Sequence, residues 1–78
     1  MPEEITASEI AQHYSAAGDS VTLINELVAL SERDDEQVDT VRRNVEHLEI
    51  MVAKDFWTTE DLAPFNAAIT AGTAVLPT

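Results

Sequence analysis

Val38, Val41, Val45, Leu48 and Val52 are separated by 3, 4, 3 and 4 residues. Side chains so spaced share one face of an α-helix, which makes this seam the strongest constraint in the chain. It predicts a helix over about 35–53. Asp34 is the expected N-cap, with Gln37 three residues on. Acids crowd the first turn and Lys54 follows the last one, an order that complements the helix dipole. Asp39 and Arg43 form an i,i+4 pair worth a few tenths of a kcal/mol. Ile50 and Met51 are expected to widen the seam near its C-terminal end. Two heptads are too few to demand a coiled coil, so the expectation is a helix packed within a bundle.

The flanking sequence repeats the helical signals. In ITASEI (5–10), Thr6 is an N-cap and Glu9 its capping-box partner, with Ile5 and Ile10 placed as a hydrophobic staple. A first helix is expected over about 7–17, ended by Gly18. A second, capped by Asp19 or Ser20, should cover about 20–31. It places Val21, Ile24 and Val28 beside a row of Leu23, Leu27 and Leu30. So broad an apolar face suits a helix buried on more than one side, hence the central element. Near the end of the chain, Thr58 can cap a further helix with Trp57 and Leu62 as its staple. Pro64 conflicts with a helix already established there. Two readings follow: a short turn at 59–62 before a helix starting near Pro64, or Asp61 as the true cap. Both give a last helix covering Phe65 to Ala71, with about 62–71 as its outer bounds, stopped by Gly72. Hairpin dipeptides such as Asn-Gly are missing and strand signals are poor. The predicted fold is all-α, one domain over 1–78, a small bundle of three to four short helices with loose ends at 1–5 and 73–78.

Size and charge narrow what such a bundle can do. Seventy-eight residues bury a modest fraction of their surface, and eleven of the apolar residues are alanines. No cysteine is present to staple the fold, ligate a metal or act as a nucleophile. Domains of this kind often lean on association, so self-association into a homo-oligomer is an open expectation. The net charge of −11 disfavours direct contact with nucleic acid or an anionic membrane, both of which select Lys and Arg. No apolar run approaches the roughly 20 residues of a membrane span, and no leader opens the sequence, which reads as soluble and unsecreted.

Chemistry-bearing constellations are scarce. His13 beside Glu9, and His47 beside Glu46 and Glu49, are the only metal-like pairings, and neither histidine has a second one at i+4. DDEQVD (34–39) lacks the glycine of a calcium loop and reads as a charged helix start. Glu60 and Asp61 sit side by side at a helix start, where the dipole accounts for them. With neither a nucleophile elbow nor a phosphate-binding loop, no enzyme and no cofactor are expected. What is left is binding to a protein partner. One form of it is an acidic mimic of DNA that inhibits a host nucleic-acid-binding protein, since dense negative charge attracts basic surfaces.

The stretch VRRNVEHLEIMVAKDFWTTEDLAPFNAAITAG (41–72) resembles the end of small acidic uncharacterised proteins encoded by tailed bacteriophages. The shared features are the NVEHLEIMVAKD helix, an aromatic pair before TTED, and a closing NAAITAG. They are helix and cap residues, so the resemblance transfers no functional residue. It implies a phage accessory protein, attached to the virion or acting in its assembly, found in the host cytoplasm and in particles.

KDFWTTEDLAPFN (54–66) holds three of the four aromatic residues. If the last two helices fold back as a hairpin, Phe56 and Trp57 come over Leu48, Met51 and Val52. One ring of an adjacent pair then faces inward. The other is the candidate protein-binding residue, because half-exposed aromatics are enriched in interface hot spots.

Overall fold

The computed structural model describes residues 6–77. Three helices fill most of it: α1 (Ala7–Val28), α2 (Asp35–Val52) and α3 (Thr59–Val75), each in contact with the other two. The fold is an all-α three-helix bundle. Residues 1–5, where a loose end and the staple residue Ile5 were expected, lie outside the described residues.

α2 forms as its seam requires. Asp34 Oδ1 accepts from the Gln37 amide at 2.8 Å while Gln37 Oε1 accepts from the Asp34 amide at 2.9 Å, a complete capping box. Val41, Val45 and Leu48 are buried, with Val38 and Val52 half-buried at the ends. Met51 is buried as well, but Ile50 is 64% exposed and does not widen the seam. It lies two residues from Leu48, about 200° round the helix.

The first two expected helices are one. Gly18 does not stop α1, and none of the described glycines has a positive φ. Ile10, Ala17, Ser20, Ile24 and Leu27 continue a single inward stripe across the glycine, so packing outweighs its propensity of about 1 kcal/mol against helix. The start is half of the expected capping box. Thr6 Oγ1 accepts from the Glu9 amide at 3.1 Å, but Glu9 Oε1 takes the Thr6 hydroxyl rather than its backbone amide. α1 ends three residues before the expected Ser31, and Arg33 explains the stop. Its Nη1 donates to the carbonyls of Leu30, Leu27 and Val28 at 2.8, 3.0 and 3.3 Å, satisfying acceptors that a helix end leaves open. Nor is this segment buried on more than one side: Leu23 and Leu30 are both exposed. In a three-helix bundle each helix buries one sector: Leu23 lies about 100° round from the buried Ile24, and Leu30 lies beyond the end of α1.

α3 starts earlier and ends later than expected. Thr58 caps it in a full box with Asp61, the two bonds at 3.1 and 3.3 Å. Pro64 sits inside the helix, in the second turn. Pro64 and Glu60, whose carbonyl loses its donor, are both exposed, so water can replace the missing bond. Gly72 does not end the helix either. It is buried, and a Cβ there would lie 2.6 Å from Val45 Cγ2, 3.2 Å from Ile24 Cγ2 and 3.3 Å from Val41 Cγ1. Residues 73–75 are therefore helix rather than loose tail, and Val75 and Leu76 pack against the core. No helix among the described residues is long and apolar enough to cross a membrane.

The two glycines should respond oppositely to alanine. At Gly18 an added Cβ meets nothing within 4 Å, so Gly18→Ala should stabilise the fold by about 0.5–1 kcal/mol. Gly72→Ala gains the same propensity but forces methyl groups apart, and overpacking of about 1–3 kcal/mol should make it a net loss. Urea denaturation of both variants reads the two signs directly.

Candidate functional site

The aromatic residues gather at one end of the bundle, where α1 and α3 begin and α2 ends. Trp57 is the ring that faces inward: 9% exposed, it belongs to the core with Leu48, Met51 and Phe65. Its Nε1 donates to the Met51 carbonyl at 2.7 Å, alongside the Lys54 amide at 3.1 Å. A buried indole needs such an acceptor, and the last turn of α2 supplies one. Trp57 meets Phe65 edge-on with centroids 5.1 Å apart, and Phe56 at 4.6 Å. Leu62, its expected staple partner, packs on the same cluster.

Phe56 is half-buried, so of the two candidate binding residues it keeps the more surface. His13 stacks on it at 5.7 Å with an interplanar angle of 28°. Tyr14 completes the group at 5.8 Å from Phe65 and 6.3 Å from Trp57, yet 47% of it is exposed. Nothing in the sequence marked Tyr14 as part of this cluster. It is 42 residues before Phe56, and only the return of α3 alongside α1 brings it there.

A second constellation joins α1 to α2. Ser20, 4% exposed, shares a hydrogen bond of 2.8 Å with His47 Nδ1. Serine and imidazole at this distance are the first requirement of a nucleophile–base pair. The surroundings fit a structural link better. Ser20 lies in mid-helix with its hydroxyl enclosed, and no carboxylate is hydrogen-bonded to His47. The bond satisfies the one buried polar side chain among the described residues and bridges two helices. The sequence held half of this signal, a serine placed between Ala17 and Ile24 on the apolar stripe. The partner 27 positions away was illegible.

The acids of residues 34–39 are spent locally. Asp34 caps α2, and Asp39 pairs with Arg43 at 2.6 Å and Arg42 at 3.4 Å. Asp39 and Arg43 line a shallow polar depression with Glu36, Gln37 and Thr40. No three His, Asp or Glu side chains converge on a metal position among the described residues. No protein-family model, no curated protein and no solved structure matches this chain.

Burial makes Trp57 a test of the packing account. Trp57→Phe keeps most of the apolar contact but drops the bond to Met51, and should cost about 1–2 kcal/mol in chemical denaturation. A ring serving only as a surface contact would change stability by less than about 0.5 kcal/mol.

Proposed function

We propose that this chain is a non-enzymatic protein-binding module, a virion-associated or assembly accessory protein of a tailed bacteriophage. The observation that carries the binding role is the surface. Tyr14, Leu23, Leu30 and Ile50 stay 40–64% exposed on a molecule whose net charge is −11. A one-signed field of this kind steers association towards basic protein surfaces. The phage context rests on the resemblance of residues 41–72. Within it, a cysteine-free bundle with both capping boxes and the Arg33 cap in place suits attachment to a larger assembly.

The charge density weighs against the DNA-mimic alternative. α1 has 22 residues, about 33 Å of helix. Even if all 11 net charges were laid along that length, one would fall every 3 Å or so, against about one per 1.7 Å of duplex DNA. The protein would present roughly half the field it was meant to copy.

Mass spectrometry of purified particles and of their assembly intermediates tests the reading. The protein should be present in one or both, at a copy number set by the assembly. Its absence from both, with recovery on a host DNA-binding protein instead, would reverse the order of the two hypotheses.

A further inference from the structure

The contact between Ser20 and His47 has a role that the binding reading does not use. Thr22 and Thr40 turn their hydroxyls back to the carbonyls of Gly18 and Glu36, the ordinary outlet for a hydroxyl within a helix. Ser20 turns its own across to α2 instead, and His47 Nδ1, 2.8 Å away, is its one partner among the described residues. Only 4% of the serine is exposed, so bulk water offers no substitute.

The hydroxyl hydrogen needs an acceptor, and a ring nitrogen accepts only while it carries no proton. Nδ1 therefore holds its lone pair towards Ser20, with the ring proton on Nε2. Protonation of His47 places a hydrogen on Nδ1 as well. Nδ1 then donates to the serine oxygen, and the hydroxyl hydrogen is stranded in an enclosed position. The pair is satisfied in one charge state of the imidazole and not in the other.

Neighbouring charges do not reverse this. One turn either side of Ser20 on α1 stand Ala16, Ala17, Leu23 and Ile24, none of which ionises. The corresponding neighbours of His47 on α2 are Arg43, Asn44, Ile50 and Met51. Arg43 disfavours a second cation beside it, although Asp39 offsets part of its charge. Asp19, Glu46 and Glu49 are close in sequence but lie 100° or more round their helices, and all three are exposed and screened by water. α3 has no ionisable side chain after Asp61 in its first turn. In a chain of net charge −11, no carboxylate shares a helix face with either residue within one turn.

We infer that the bond between Ser20 and His47 is an acid-sensitive latch: neutral His47 holds α1 to α2, and its protonation releases that hold. The latch stabilises the bundle at about pH 8 and ceases to do so as the pH falls towards 5, the interval in which histidine changes charge. The inference stands apart from the phage reading, since it uses only groups inside the bundle.

Urea denaturation of the whole protein at pH 8 and pH 5 tests it, with Ser20→Ala alongside. Alanine fits the space of the serine and leaves no hydroxyl to strand. Between the two pH values the unfolding constant of the wild type should rise by about 5- to 30-fold relative to that of Ser20→Ala. The fifteen acids are common to both proteins, so their own titration cancels in that ratio. Imidazole nitrogen-15 shifts of the wild type at pH 8 give a second readout, and should place the His47 proton on Nε2. Equal pH dependence in the two proteins would overturn the inference and leave the bond a plain packing link. A proton on Nδ1 at pH 8 would also overturn it, because the serine would already be the acceptor.

Discussion

The bundle closes where Gly72 lets α3 approach α1 and α2 together. Ile24, Val41 and Val45 place methyl groups where the side chain of any other residue would begin. A core built largely of valine, leucine and alanine has little bulk to spare, so helix axes must come close to exclude voids. That single contact ties all three helices at one level. The aromatic plug ties them at the other end, where Trp57 and Phe65 are buried edge-on against each other. Between these two points lie Leu48, Ala17 and Ala68, and the bond from Ser20 to His47.

So small a core leaves the helix ends with unusual weight. Each helix begins at a side chain that accepts an amide: Thr6, Asp34 and Thr58. The C-terminal ends of α1 and α2 are both closed by residues outside the helix they serve, Arg33 for α1 and Trp57 for α2. Both corners are thereby fixed by hydrogen bonds to backbone as well as by apolar contact. Trp57 serves twice, as core filler and as donor, which is why it is buried although aromatics at a corner are often surface features.

These structural commitments leave few groups for recognition. His47, His13, Trp57 and Asp39 all have partners within the fold. Tyr14 is different: it rests on Trp57 and Phe65 on one side and stays 47% exposed.

Local signals decided much of this fold. The 3–4 seam of α2, the caps at Thr6, Asp34 and Thr58, and the inward turn of one of two adjacent aromatics were legible because each depends on residues within a turn or two. Glycine and proline misled for the same reason. Gly18, Pro64 and Gly72 were read as punctuation from their own preferences, of roughly 1–3 kcal/mol. Burial of a continuous stripe over several turns exceeds that, and no window of the sequence displays it. The same limit hid the candidate site. Tyr14 and Phe65, Ser20 and His47, and Gly72 and Val45 are distant in sequence and meet only after three helices have packed. The sequence by itself determined that the chain is helical, where α1 and α2 begin, and that its net charge is strongly negative. Tertiary packing decided that there are three helices rather than four, and which aromatic stays in water, because those outcomes depend on area buried between segments rather than on preferences within them.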